Sequence, residues 1–247
     1  QWLEQQKTPM ITGIDTRALI KVIRTKGVVA GVISSSDKPP KKFIDINSQN
    51  LVAEVSCKQV TKAGEGDKII IVVDCGIKQN ILRHFESLAV KIKRVPYDYD
   101  YSDEDFDGVF ISNGPGDPSM CLKTADVLKR AMRKNKPTFG ICLGSQIMAL
   151  AIGAKTYKLP FGHRAQNHPC MDMSNQKCYL TSQNHGFAID EKSLPKEWQV
   201  SFKNLNDNTV QGIHHKDKPF FSVQFHPEAA PGPVDTAWLF DKFYELL

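Results

Sequence analysis

The sequence predicts an α/β fold: an open, mostly parallel but mixed sheet with helices on both faces, preceded by a smaller N-terminal portion. Three observations predict it. From Lys68 onward, strand-like and amphipathic helical stretches alternate, as they do in a parallel sheet covered by helices. The first of those strands, KIIIVVD, is a continuous β-branched run rather than an apolar–polar alternation, which a strand covered on both faces requires. After Ala154 the alternation stops and strand-like stretches follow one another closely, which implies a mixed or antiparallel portion.

The elements follow in chain order. Thr16 to Arg24 has helical periodicity, with Leu19, Ile20 and Ile23 on one face and Gly27 placed to stop it; VVAGVI, 28–33, reads as a strand. From Ser34 to about Asp67 the chain turns polar and charged and reads as a connector, with one short helix near Ile46 to Val52. These shifts divide the chain into 1–45, 46–67 and 68–247. After KIIIVVDCG come the helix IKQNILRHFESLA, the strand VKIKRVPY, the strand and loop DGVFISNGPGDP, the helix TADVLKRAMRK, the strand PTFGI and the helix GSQIMALAIGA. KTYKLP, KCYLTSQNHGFAI, WQVSFKNL, TVQGIHH and FFSVQF read as strands, and DTAWLFDKFYELL closes the chain as a helix.

Composition removes several function classes. The 247 residues carry a net charge of +5 without a dense basic stripe; KPPKK and KRAMRKNK read as solvated faces, so no nucleic-acid partner is expected. No apolar run approaches the roughly 18 residues that span a bilayer. The sequence shows no signal-peptide pattern, and it opens on QWLEQQK without an initiator methionine, as a fragment would. The six cysteines are scattered without a C-x-x-C pair, which disfavours a zinc site and suits free thiols in a reducing compartment.

Ligands of open α/β sheets bind beyond the carboxyl ends of the strands, and two loops there stand out: SNGPGDPS (Ser112 to Ser119) and GICLG (Gly140 to Gly144). Cys142 admits two readings. It is a small buried residue at a tight strand–helix packing point, or a nucleophile raised on a strained turn between small neighbours. In the second reading the following helix N-terminus favours the thiolate, and the Leu143 N–H points where an oxyanion develops. The glycines of GPGDP either let backbone approach a ligand or form a tight turn. Of the seven histidines, His226 is distinctive because Pro227 and Glu228 follow it. Pro227 biases His226 toward an extended conformation, in which residue i+2 shares its side. Glu228 then stands beside the imidazole, as the acid does in a nucleophile–base–acid triad.

Together, FGICLGSQ, SNGPGDP, QNHGFA and VQFHPEAAPGP resemble the class I (triad) glutamine amidotransferases. AKTYKLPFGHRAQNHP and GIDTRALIKVIR narrow the resemblance to the small, glutamine-hydrolysing subunit of carbamoyl-phosphate synthetase or the equivalent domain of a fused synthetase, from about Ile11 to the C-terminus. The resemblance implies a flavodoxin-like sheet for 68–247 and makes 1–45 the C-terminal part of the small subunit's N-terminal domain. It implies that Cys142 attacks the side-chain amide of glutamine, that His226 takes its proton and later protonates the leaving ammonia, and that Glu228 orients His226. Water then hydrolyses the γ-glutamyl thioester.

By the same resemblance, backbone N–H groups of Leu143 and Gly116 hold the oxyanion. Glutamine is contacted by Gly114, Gly116, Leu143, Gln146, Asn184, Gly186 and Phe187, and no metal takes part. The ammonia passes to a carbamoyl-phosphate synthetase large subunit or domain for pyrimidine and arginine synthesis in the cytoplasm. ATP and magnesium act only on that partner, since this chain has no G-x-x-x-x-G-K-[ST] loop. Two departures stand out. Ser145 occupies a position where the family commonly has His, and the family's further N-terminal portion, which contributes to docking and supplies a serine to the glutamine site, precedes the start of this sequence. Three other functions compete: an amidotransferase serving another synthase, a weak or regulatory domain, and a stand-alone cysteine hydrolase.

Overall fold

A computed structural model of the chain describes residues 1–34, 38 and 40–247; residues 35–37 and 39, in the polar stretch read as a connector, lie outside it. The chain forms two units, Gln1–Ile44 and Asp45–Leu247.

The first unit holds α1 (Trp2–Gln5) and α2 (Thr16–Lys26). Asp15 starts α2 by accepting the Ala18 N–H at 2.9 Å, and Gly27, at φ 77°, ends it. The apolar face of α2 (Leu19, Ile20, Ile23) is exposed. The strand expected over 28–33 does not form. Its residues are apolar enough, but a strand needs a ladder partner, and no strand lies within this unit among the described residues.

The second unit is one ten-stranded sheet with helices on both faces. Its elements are α3 (Leu51–Val55), β1 (Thr61–Ala63), β2 (Lys68–Asp74), α4 (Gln79–Glu86), β3 (Val90–Pro96), β4 (Gly108–Ile111), α5 (Leu122–Ala131), β5 (Thr138–Ile141) and α6 (Leu143–Ala151). There follow β6 (Thr156–Asp172), β7 (Cys178–Ile189), β8 (Trp198–Asn204), β9 (Val210–His215), β10 (Phe220–Val223) and α7 (Trp238–Leu246). The strand order is β1-β3-β2-β4-β5-β10-β9-β8-β6-β7. The run β3-β2-β4-β5-β10 is parallel throughout, which is the 2-1-3-4-5 order of flavodoxin-like sheets. Antiparallel strands extend it on both sides. One of them, β1, falls within the stretch read as a connector and pairs with β3.

Alternate residues of β2 explain why its whole run is apolar. Ile71 and Val73 pack with Leu128 of α5 and Ile147 of α6, while Ile70 and Val72 face the other way, into Phe85 of α4 and Phe240 of α7. Burying each such side chain contributes about 1.5–3 kcal/mol. The hairpin β6–β7 differs from expectation. KTYKLP continues through FGHRAQNHP into a single 17-residue strand, because β7 supplies the ladder, with register shifts between Lys158 and His163 and between Ala165 and His168.

Asp74, fully buried at the carboxyl end of β2, organises the loop that leads to α4. Its carboxylate accepts the N–H groups of Cys57, Gly76 and Ile77 and the Arg94 Nε and Nη2 groups. Burial raises its pKa, but these donors outweigh burial and hold it below the ordinary 3.8. The sign follows: a depressed carboxylate stabilises the fold above its unfolded pKa, and that stability is lost as pH falls below it. Asp74→Ala is expected to cost about 3–5 kcal/mol by stranding Arg94 and the three amides. Urea denaturation at pH 7 checks this, and the deficit should shrink toward acid pH.

Candidate active site

The carboxyl ends of β2, β4, β5 and β10 converge on one cavity of about 470 Å³. It lies at the switch in strand order where open sheets bind ligands. Cys142 stands between β5 and α6 with φ 55° and ψ −105°. This left-handed backbone is strained for a side chain larger than glycine, by about 1–3 kcal/mol. Two restraints hold it there. The Cys142 N–H donates to Val223 O at 2.8 Å. The flanking glycines let strand and helix close up: a Cβ on Gly140 would sit 2.7 Å from Gly144 O, and one on Gly144 would collide with Ile111 O. A cysteine that served only to fill the core would need no such turn. Cys142 lines the cavity at the N-terminus of α6.

His226 follows β10, and its N–H donates to Ser182 O, which ties it to β7. Glu228 Oε1 lies 2.6 Å from His226 Nδ1. The segment is not extended as expected. Ala229 N–H donates to His226 O at 3.2 Å, so Pro227 and Glu228 form the centre of a turn that folds the carboxylate back onto the ring. Lys78 Nζ approaches His226 Nδ1 to 3.2 Å and Glu228 Oε1 to 3.3 Å. An ammonium and an Nδ1–H are both donors, so the carboxylate accepts from both. Asn80 Nδ2 donates to the Glu228 carbonyl at 2.6 Å.

Nε2 is thereby left for the Cys142 thiol. Burial pushes the His226 pKa down, but the Cys142 charge and hydrogen bond and those of Glu228 together outweigh it and raise the pKa to about 9. Burial pushes Glu228 up; the His226 hydrogen bond and charge and the Lys78 charge hold it below its ordinary value. The three groups form a buried thiol–imidazole–carboxylate line, 4%, 3% and 1% exposed.

The cavity brings together the other residues singled out in the sequence. Gly114 and Gly116 come from the loop after β4, Leu143 and Gln146 from α6, and Asn184, Gly186 and Phe187 from β7. Glu228 does not line the cavity and sits behind His226. Gln146 Nε2 donates to Phe187 O at 3.1 Å and to Gln224 Oε1 at 2.9 Å, which fixes its side chain. His185 Nδ1 lies 2.8 Å from the same carbonyl, and burial depresses its pKa to about 3, so the ring is neutral. The sequence reading missed Lys78, Asn80, Arg164 and Gln224. The rule that found the other loops would have pointed to Lys78, which follows β2 in DCGIK; Gln224 and Asn80 carried no signal. Ser145 is buried, with its Oγ 2.8 Å from Ser222 Oγ, and does not line the cavity.

Comparisons with known proteins agree with this geometry. The family model for class I glutamine amidotransferases matches residues 71–246, and the model for the CPSase domain of the carbamoyl-phosphate synthase small chain matches residues 1–33. The chain belongs to the class I glutamine amidotransferase family. It is 48% identical to the multifunctional protein CAD of Squalus acanthias, over 99% of this chain and 11% of that protein. It is 43% identical to human mitochondrial carbamoyl-phosphate synthase [ammonia], over 100% of this chain and 16% of that protein. It is 45% identical to the arginine-specific carbamoyl phosphate synthase small chain of Aspergillus oryzae, over 99% of this chain and 56% of that protein. The chain thus spans a small part of the multifunctional relatives and about half of the fungal small chain. Among solved structures, a glutamine amidotransferase from Thermotoga maritima shares the fold with TM-score 0.55 and 18% identity, over 66% of this chain and 76% of that one.

Proposed function

We propose that this chain hydrolyses glutamine to glutamate and ammonia and delivers the ammonia to a carbamoyl-phosphate synthetase large subunit or domain. The observation that carries the reading is the Cys142–His226–Glu228 line at the wall of a cavity whose other walls are Gly114, Gly116, Gln146, Asn184 and Phe187. The Cys142 sulfur attacks the side-chain amide carbon. The developing oxyanion meets the N–H of Leu143, at the free first turn of α6, and that of Gly116. The His226 imidazolium gives its proton to the departing ammonia, and water, deprotonated by the same ring, hydrolyses the thioester. Glu228 keeps Nδ1 protonated, so that Nε2 faces the sulfur.

The names of the relatives support assignment to carbamoyl-phosphate synthesis, that of the Aspergillus oryzae protein for arginine, and supply to pyrimidine synthesis is part of the same reading. In this reading ATP and magnesium belong to the partner and the chain works in the cytoplasm, a reading that the free thiols among the described residues support only as far as a reducing compartment. The test is glutamate release from glutamine, alone and with a carbamoyl-phosphate synthetase large subunit added. Release that rises with the partner supports the whole proposal; equal release with and without it overturns the partnership; none in either condition overturns the hydrolase.

Gln146 offers a second, quantitative check. Its orientation depends on Gln224, which is fully buried. Gln224→Leu is expected to raise the KM for glutamine about 3–10-fold, the loss of roughly one hydrogen bond. The kcat should change less, as steady-state kinetics would read.

A further inference from the structure

We propose that the side-chain amide of Gln183 turns with the charge on His163, and that this turn sets how firmly His185 holds the Phe187 carbonyl in the cavity wall. The inference rests on the glutamine-hydrolase reading and deepens it with three positioning residues, His163, Gln183 and Asp207, none of which lines the cavity.

The first argument is a count of protons. His163 on β6 is the ladder partner of His185 on β7, and Gln183 lies two residues before His185 on the same side. All three are buried. Gln183 Oε1 lies 2.8 Å from His163 Nδ1 and 3.1 Å from His185 Nε2. His163 Nε2 lies 2.8 Å from Asp207 Oδ2, and His185 Nδ1 lies 2.8 Å from Phe187 O. Each of these contacts sets a ring nitrogen against an acceptor oxygen, so each calls for a proton on the ring. His163 can carry both of its protons, because Asp207 answers the charge. Burial raises the Asp207 pKa, but its Thr209 and His163 hydrogen bonds hold it below the ordinary 3.8. His185 carries only one proton, since burial, seconded by the charge of His163, depresses its pKa to about 3. With two acceptors and one proton, His185 always turns one bare nitrogen toward an oxygen lone pair.

The second argument is that turning the amide removes this conflict once His163 is neutral. Gln183 then gives one N–H to His163 Nδ1 and the other to His185 Nε2. His163 keeps its remaining proton on Asp207, and His185 keeps its proton on Phe187 O. Asn204 Nδ2 and Gln211 Nε2, 3.5 and 3.4 Å from His163 Nδ1, are donors that also favour a bare nitrogen there. On its far side the turned Oε1 meets the Cys170 thiol, which Gln183 Nε2 contacts at 3.2 Å in this structure. Burial pushes that thiol up to about 12, so it keeps a proton to donate. While His163 is charged, its Nδ1–H needs the amide oxygen, and the single proton of His185 is divided between Gln183 Oε1 and Phe187 O.

The third argument is where that proton matters. Phe187 lines the cavity, and its carbonyl accepts His185 Nδ1 at 2.8 Å and Gln146 Nε2 at 3.1 Å. Two donors hold the wall from two sides; a charged His163 leaves it leaning on Gln146. Cys142 and His226 stand on other elements, so the change acts on KM rather than on kcat. The groups that face His163 fix its sense. Asp207, in the turn after β8, favours the charge; His168, stacked 4.9 Å away on β6, and His185 oppose it. Asn204 on β8 and Gln211 on β9 bring none.

The test is NMR of the full chain, labelled at the histidine nitrogens, across pH. With His163 neutral, His185 should carry its proton on Nδ1 and be bare at Nε2. As His163 takes its second proton, both His185 nitrogens should shift toward each other while the ring stays neutral. The change must follow His163 and not His226, whose pKa is about 9. Over the same titration the KM for glutamine should rise about 3–10-fold as pH falls, the loss of roughly one hydrogen bond, with kcat little changed. Asp207→Asn removes the carboxylate that favours the charge, so both changes should move together to lower pH. Gln183→Glu offers oxygen to both rings at every pH, and its KM should be raised by a similar factor throughout. His185 nitrogens that do not respond to His163, a His163 that keeps one charge state, or a KM rise that Asp207→Asn leaves in place overturns the proposal. Failure of the hydrolase reading looks different: the two histidines titrate together as expected, yet wild type releases no glutamate from glutamine.

Discussion

Cys142→Ser is expected to lower glutamate release from glutamine by at least about 10³-fold while leaving the fold intact. The serine is nearly isosteric, and the elbow is held by the backbone and by Gly140 and Gly144 rather than by the sulfur. A hydroxyl is a far weaker nucleophile than a thiolate at neutral pH, and losing one member of a coupled nucleophile–base unit removes most of what the unit supplies. The variant should bind glutamine with unchanged affinity by calorimetry. A variant that keeps more than about a tenth of wild-type turnover would mean that Cys142 is a packing residue and that hydrolysis runs elsewhere.

The second large effect concerns pH. The His226 pKa of about 9 stands above the ordinary 6.5 of histidine. A raised histidine stabilises the folded state fully below its unfolded pKa, and that contribution fades as pH rises toward about 9. Glu228 has the opposite sign: its depressed pKa stabilises the fold above the ordinary 4.5 and is lost as pH falls. The pair therefore contributes most to stability between about pH 4.5 and 6.5, which the melting temperature across pH would register. Turnover should fall as pH rises through about 9, because the imidazolium that protonates the leaving ammonia disappears. In Glu228→Gln the histidine loses its charged partner. The alkaline limb should then move to lower pH, and kcat should drop about 10²–10⁴-fold. An alkaline limb unmoved by Glu228→Gln would show that another group sets it.

Much of the site was legible because its parts are local. GICLG carries the proposed nucleophile and its two close-packing glycines in five residues, and the strand–turn–helix around them has its own periodicity. HPE likewise holds the proposed base and acid two residues apart. There the reading reached the right neighbours by the wrong geometry, since a turn rather than an extended segment brings the carboxylate back to the ring. The strand expected over 28–33 failed for a different reason: propensity and apolarity are properties of the segment, but a ladder is a property of two segments.

The sequence by itself determined the α/β class, the burial of β2 on both faces, the strand-to-helix passage at Cys142 and the pairing of His226 with Glu228. These follow from patterns within a few residues or from a repeating period. The tertiary structure decided the order β3-β2-β4-β5-β10, which brings the ends of β2, β4, β5 and β10 to one cavity from residues up to 150 positions apart. It also decided that Lys78 and Asn80, from the loop after β2 and the start of α4, reach Glu228, and that Gln224 holds Gln146. The same folding set Arg164 beside Gly186 across a register shift. Each of these is a contact between distant segments made by long polar side chains, whose partners no local pattern specifies, because the sheet's strand order and register alone set which ones meet.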